Sequence, residues 1–436
     1  MSSRRNFLRN IAGSSAALFM LSNGTFANAL DAISKIPPGT SPEKLSSDEA
    51  FWGRIQSSFD LDRAVINFNN GGCSPSPGKV QLALKRYLDY SNQAPSYYMW
   101  RHLEPNVERV REIIASNFGC DKEEIAITRN ASESLLIVQL GLNLKAGDEI
   151  LTTIYDYPRM LTTWDQRARR DGIVVKKVKY PVPLMDPKDY IKIIENAITP
   201  KTKVILLSHV VFLTGQILPI KEIAKIAHDR GIYFICDGAH SFNHFPYTLK
   251  DLDCDFFGTS LHKWTYAPIG TGFLYVKKDL IPKVWPMMAA PESMDDNIRK
   301  FEEIGTHPAA NHNATSEAFS FNEGLRIERK AARLRYLQKR WINRLRKFPN
   351  VKFMTNIDDE SQWCGIVNVN IEGTDIRKLS GYLMSKHKIY QIAIVMDDFH
   401  GLRISPNVYT NLSEIDLFAD VMTEVAEGKI KEVMAE

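Results

Sequence analysis

Thr259-Ser-Leu-His-Lys-Trp264 is the stretch on which the fold turns. It follows a short apolar run, Asp255-Phe-Phe-Gly258, and precedes a glycine-rich one, Gly270-Thr-Gly-Phe-Leu-Tyr-Val276. Upstream, Asp237-Gly238 closes a further apolar run, Ile232-Tyr-Phe-Ile-Cys236. Short apolar runs bounded by turn residues read as buried strands. Asp237 and Lys263 therefore both stand just beyond strand ends.

The chain around this pair alternates strand and helix. Lys221-Glu-Ile-Ala-Lys-Ile-Ala-His-Asp-Arg230 is amphipathic, with Ile220, Ile223, Ala224 and Ala227 on one face and Gly231 as the stop. It joins Val204-Ile-Leu-Leu-Ser208 to the run ending at Cys236, a βαβ unit that implies parallel strands and an α/β fold. In such a sheet, a strand-end carboxylate and a strand-end amine converge on one small planar ligand. Pyridoxal phosphate needs that pair: a lysine to form a Schiff base and an aspartate to hold the pyridine nitrogen protonated. Either residue alone would mean little, since most Lys and Asp are solvated.

An anion site is legible nearby. Glu124-Ile-Ala-Ile-Thr128 reads as a strand and Leu135 to Leu142 as a helix, with Arg129-Asn-Ala-Ser132 as the turn between them. A helix N-terminus there offers free N–H donors and a positive dipole end to a phosphate. Without the lysine motif, Ser132 would read as an ordinary helix cap.

The remaining organisation follows from composition and punctuation. Within 436 residues, Ser3-Arg4-Arg5-Asn6-Phe7-Leu8-Arg9, the apolar stretch Ile11 to Leu21 and Ala27-Asn28-Ala29 form a basic, apolar and small-residue series. That series marks residues 1–29 as an export signal, similar to the twin-arginine type, with periplasmic or other extracytoplasmic delivery by the twin-arginine translocase. Residues 30–64 read as an extended arm with one short helix, 65–305 as a large domain and 306–436 as a linking helix and small C-terminal domain. Residues 313–347 read as one long basic helix, and Asn411 as the cap of the last helix. The net charge of +4 is scattered, which gives nucleic-acid binding no footprint. No apolar stretch approaches the roughly 18–20 residues that span a bilayer. The five cysteines, Cys73, Cys120, Cys236, Cys254 and Cys364, show no metal-like spacing; no metal site is expected.

Asn130-Ala-Ser-Glu-Ser134, Thr214-Gly-Gln-Ile-Leu-Pro219, Asp237-Gly-Ala-His240, Ser260-Leu-His-Lys-Trp264, Gly305-Thr306 and Arg403-Ile-Ser405 occur in that order. Together they make residues 65–415 resemble the class V aminotransferase family of fold-type I enzymes, and most of all its isopenicillin N epimerase-like branch. The resemblance implies a large domain with a mostly parallel seven-stranded sheet and a smaller α+β domain. It implies cofactor contacts from Ala131, Ser132, Asp237, His240, Ser260, His262 and Lys263, with Thr306 given by the partner subunit of a homodimer. Lys263, Asp237 and Tyr157 carry the catalysis it implies. Many family members stack an imidazole on the cofactor ring; here the equivalent residue is Tyr157, or Tyr155 if the turn is shifted. Arg403 matches the arginine that binds a substrate carboxylate, with a structural salt bridge as the competing reading, and Asn70 and Gly71 fall on the substrate side. Cysteine desulfurases of the family carry a persulfide cysteine shortly before that arginine, and His387 to Leu402 contains none. The resemblance leaves epimerisation, transamination, elimination and oxidative tailoring open. Exported relatives modify peptide-type metabolites, siderophores among them. A C–S lyase and a non-catalytic exported binding protein are the alternatives.

Overall fold

The computed structural model describes residue 29, residues 31–37 and residues 39–435. The twin-arginine motif and its apolar stretch lie outside the described residues.

Eight strands precede the C-terminal region: β1 (Ile66–Asn67), β2 (Ile125–Thr128), β3 (Glu149–Thr153), β4 (Val174–Val178), β5 (Thr202–Ser208), β6 (Tyr233–Asp237), β7 (Phe256–Ser260) and β8 (Gly272–Val276). Seven of them make one sheet in the order β2-β8-β7-β6-β5-β3-β4. All neighbours from β7 to β4 are parallel, and β8 alone runs against its neighbours. This is the mostly parallel seven-stranded sheet expected from the motifs.

The sheet is buried on both faces, and side-chain alternation divides it into two cores. Ile205 and Leu207 of β5, Phe234 and Cys236 of β6, Phe257 of β7 and Phe273 of β8 enter one cluster. Val204, Leu206, Ile235, Phe256 and Leu274, their neighbours along each strand, enter the other. Successive residues on a strand point to opposite faces, so a continuous apolar run feeds both layers.

Five more strands follow: β9 (Val351–Phe353), β10 (Val367–Ile371), β11 (Ile389–Tyr390), β12 (Ile392–Val395) and β13 (His400–Ile404). Four form an antiparallel sheet, β12-β13-β10-β9, over its own core of Val367, Val369, Leu402, Ile404 and Phe418. β1 pairs with β11, and Asn69 bridges to Ser405, so the chain leaving β1 is stitched to this second unit.

Three local readings are corrected. Residues 30–64 are not an extended arm with one helix: Pro42–Ser46 and Glu49–Gln56 are helices capped by Ser41 and Asp48. Trp52 of the second is fully buried, donates to the Leu45 carbonyl at 2.8 Å and lies 5.2 Å beneath the Arg333 guanidinium. The expected long helix over 313–347 is two, Ala310–Leu325 and Ile327–Leu345, broken at Arg326 in left-handed backbone at φ 67°. The helix after β2 starts earlier than periodicity suggested, at Ala131. Asn130 rather than Ser132 caps it, accepting from Glu133 N at 2.9 Å.

Trp52→Ala should destabilise the protein by about 3–5 kcal/mol, the usual cost of emptying a large buried aromatic site. Chemical denaturation measures this, and a loss of only about 0.5 kcal/mol, typical of surface positions, would show that these helices are not docked in solution.

Candidate active site

The parallel register brings the site together. Ser208 at the end of β5 lies opposite Asp237 at the end of β6, and Asp237 lies opposite Gly258 of β7. Ligands of open α/β sheets bind beyond the carboxyl ends of such strands. β7 ends at Ser260, and the turn after it carries Lys263 back toward β6, where its Nζ lies 3.1 Å from His240 Nε2.

Burial dominates the electrostatics of this cluster. It lowers the Lys263 amine to about 8, with the Asp237 carboxylate opposing the shift and the Arg403 cation adding to it. It raises the Asp237 carboxyl to about 6, against a hydrogen bond from Ala239 N at 2.9 Å and the charge of Lys263. Burial also holds His240 well below the ordinary imidazole range and takes His262 down to about 4, with Lys263 reinforcing both. His240 Nδ1 and His262 Nδ1 are buried without partners.

At the sheet corner, Ser260 Oγ accepts from Ala131 N at 2.9 Å, tying β7 to the helix N-terminus. Ser132 is the next residue of that first turn and is half-buried. Gly272 is obligatory here: a Cβ would lie 2.7 Å from Asn130 Cα and 2.5 Å from the Thr259 carbonyl oxygen. The residues fit pyridoxal phosphate. A helix N-terminus flanked by Ser260 and His262 suits its phosphate, the buried Asp237 its ring nitrogen, and an amine held near neutrality its aldehyde.

Arg403 is buried, yet no acidic side chain pairs with it among the described residues. Its Nη1 donates to the Phe212 carbonyl at 2.8 Å and its Nη2 to Asn69 Oδ1 at 2.6 Å, while Nε has no partner. Burial lowers it to about 10, so it stays cationic at neutral pH. The salt-bridge alternative therefore has no support in the fold.

The other expected residues divide. Tyr157 is 40 % exposed and edge-on to Phe212 at 5.4 Å, in the electrostatic neighbourhood of Arg403. Tyr155 cannot replace it: its ring is buried against Tyr180 and its hydroxyl bonds Asp398. Gly71 lies against the His240 ring, a Cβ there falling 3.5 Å from His240 Cε1. Asn70, expected on the substrate side, is instead structural. Its amide donates to the Asn67 and Ser405 carbonyls, each at 2.9 Å, and accepts from the Tyr409 hydroxyl. Thr306 is exposed on the turn after Gly305.

Sequence reasoning missed three residues. Asn69, rather than Asn70, reaches Arg403. Asp156 is buried and accepts from Thr152, Thr153 and Ser208, locking the ends of β3 and β5 beneath the Tyr157 turn. Its place in Tyr155-Asp-Tyr157, directly after a strand, was the available signal. Cys73 is close enough to Lys263 for their charges to interact, its Sγ 3.6 Å from the His262 carbonyl oxygen. Burial raises this thiol, with Lys263 opposing. A cavity of about 450 Å³ runs along this loop, lined by Arg63, Asn69, Cys73, Tyr390, Tyr409 and Glu414. All five cysteines are unpaired, and Cys364 is fully buried.

Comparison with known proteins bears on the fold and the cofactor. The model of the aminotransferase class-V family matches residues 66–418. The chain belongs to that family. It is a pyridoxal-phosphate-dependent enzyme of the class, in the fold-type I architecture. Isopenicillin N epimerase of Streptomyces clavuligerus is 28% identical over 390 residues, covering 86% of this chain and 98% of that protein. A probable cysteine desulfurase of Pyrococcus abyssi is 26% identical over 408 residues, covering 86% and 97%. The apo structure of a cysteine desulfurase from Thermococcus onnurineus superposes with a TM-score of 0.76 at 26% identity, over 86% of this chain and 98% of that one.

The raised Asp237 has a thermodynamic consequence in cofactor-free protein. Its folded pKa of about 6 exceeds the ordinary value of 3.8, so the unfolded chain ionises first and stability falls as pH rises between those values. Asp237→Asn should then raise the melting temperature of cofactor-free protein at pH 7–8, a gain of about 1–3 kcal/mol. The gain should vanish below about pH 4. Thermal melts across pH measure it; an equal gain at both ends of the range would exclude ionisation as its cause.

Proposed function

We propose that this enzyme acts at the α-carbon of an amino-acid or peptide-type metabolite and works outside the cytoplasm. The observation that carries the substrate class is Arg403, a buried guanidinium held by two neutral acceptors with no counterion among the described residues. Burying a cation without an anion is costly, and a carboxylate ligand relieves that cost. The planar fork takes a carboxylate with two parallel bonds.

Pyridoxal phosphate, when bound, supplies an electron sink for the bond broken at the α-carbon. Each residue then has a task. Lys263 would hold the cofactor and would move the α-proton as a general base; an amine lowered by burial to about 8 suits that work. Asp237 would keep the ring nitrogen charged. His240, with its Nε2 3.1 Å from the Lys263 amine, would bond the ring's phenolic oxygen. Ala131, Ser132, Ser260 and His262 form the phosphate corner. Tyr157 would offer a flat face to the ring.

Epimerisation or related tailoring is the favoured outcome, in line with the similarity to isopenicillin N epimerase. The second reading is C–S bond cleavage, favoured by the similarity to cysteine desulfurases and by Cys73 beside Lys263. The position where a persulfide cysteine is expected is empty of cysteine, which ranks it second. Sulfide release from cysteine by the purified enzyme, compared with proton exchange at the α-carbon in deuterium oxide, separates the two. A homodimer with Thr306 reaching the partner's phosphate corner is part of the same reading, supported by the exposure of that turn. So is delivery by the twin-arginine route, which carries folded proteins and would let the cofactor load before export. Arg4→Lys with Arg5→Lys should hold the precursor in the cytoplasm; an unchanged extracytoplasmic yield would overturn that route.

Purified protein should be yellow and bleach with borohydride, and Lys263→Ala should lose this response while keeping its circular dichroism. Arg403→Ala should raise KM by roughly 10- to 150-fold, the equivalent of about 1.5–3 kcal/mol of charge-assisted contact. Arg403→Lys should recover only part of it. An unchanged KM in Arg403→Ala would mean that the substrate is not held by a carboxylate.

A further inference from the structure

Lys330 is a second buried amine close to the site. It lies on the helix Ile327–Leu345, almost fully buried, and no acidic side chain faces it among the described residues. Its Nζ donates to the Trp264 carbonyl at 2.8 Å and to Asn322 Oδ1, and sits 4.9 Å from the centre of the Tyr266 ring. Asn322, on the preceding helix Ala310–Leu325, donates to the Thr265 carbonyl at 2.8 Å. The two side chains thus take the two successive carbonyls that follow Lys263. The break at Arg326 is what turns the second helix so that both reach one loop.

That loop needs holding. Tyr266 is in left-handed backbone at φ 63°, which a non-glycine residue occupies at a cost of roughly 1–2 kcal/mol. Its hydroxyl is anchored on Asn407 at 2.8 Å. Trp264 stacks on His244, rings 3.7 Å apart and 3° from parallel. His244 in turn accepts from Gly365 N at 2.7 Å and bonds the His240 carbonyl at 2.8 Å, so the same assembly sets His240 against Lys263. A bare ammonium in an apolar core costs several kcal/mol, and here its hydrogen bonds go to this loop and to its partner Asn322. Burial lowers this amine to about 7.

We propose that Lys330 and Asn322 form a positioning clamp that holds the strained Trp264–Tyr266 turn so that the Lys263 amine is presented to the cofactor. Neither is a catalytic residue; both act through the backbone that carries Lys263. The proposal rests on Lys263 being the point of cofactor attachment.

The test uses Lys330→Met, which keeps the stem and removes the ammonium, and Asn322→Ala, which keeps the ammonium and removes the second arm. Lys300→Met is the control. Lys300 is likewise buried and donates to the Ile281 and Asp295 carbonyls at 2.8 Å, neither of which belongs to the loop that carries Lys263. Two readouts other than turnover are taken: the rate at which free pyridoxal phosphate becomes covalently attached to stripped protein, and the pH midpoint of the visible absorbance of the loaded enzyme. Both clamp variants should attach cofactor about 10- to 100-fold more slowly, the scale expected for displacing a reacting group by about 1 Å, and should shift the absorbance midpoint. Lys300→Met should lose thermal stability and leave both readouts unchanged. Wild-type rates and midpoints in a folded clamp variant would overturn the proposal, as would an equal slowing in Lys300→Met. If Lys330→Met does not fold, Asn322→Ala decides alone. Failure of the wild type itself to attach cofactor would instead overturn the role of Lys263.

Discussion

The parallel register of β5, β6 and β7 is the constraint on which the active site depends. Side chains alternate along each strand, so slipping β6 by one residue would exchange Ile235 with Phe234 and Cys236 between the two cores. It would also turn Asp237 away from the pocket. Since both faces of the sheet are apolar, the register is fixed by which shapes fill which layer. Asp237, Ser208 and Ser260 are then carried to the same edge. The precision of the site is inherited from core packing, and polar contacts refine it.

The electrostatic design contrasts with that of the outer structure. On the periphery, carboxylates and guanidiniums pair directly: Arg299 bonds both Glu108 and Glu123, and holds Glu108 down near 2 with help from Arg111. Inside, Lys263, Asp237, His240, His262 and Arg403 are grouped without one close ion pair, and burial pushes each toward its neutral form. A site left in this state favours a ligand that supplies the missing charges: a phosphate at the helix N-terminus, a basic ring nitrogen at Asp237 and a carboxylate at Arg403. Stability is given up there, as strained and under-paired sites generally require, and the two buried cores support the deficit.

The two units meet where function needs them to. The loop Asn69 to Cys73 leaves β1, is sewn to Ser405 by backbone and hydroxyl bonds, and then passes His240 and Lys263. Arg403 belongs to the second sheet, yet it is aimed by a carbonyl from the loop after β5 and an amide from the loop after β1. A carboxylate bound there touches a group positioned by both units at once.

Sequence alone determined the elements whose cause is local. Apolar runs closed by Asp237 and Ser260, the amphipathic helix before β6, the Asn411 cap and the glycine-rich β8 are all written in short-range pattern, and so the sheet and the Lys263–Asp237 pair could be read directly. What lay beyond reach was decided by packing between distant segments. Trp52 folds the arm into helices because a pocket over Arg333 exists to receive it, and Arg326 breaks a helix whose periodicity continues unbroken. Asn69 replaces Asn70 at Arg403 because the Asn70 amide is drawn inward by Ser405, more than three hundred residues away in sequence. Tyr155 is lost to the core for the same reason, and Cys73 comes to lie beside Lys263. Local pattern fixes which face of an element is buried; only the assembled structure decides which atom of a loop is left pointing at the substrate.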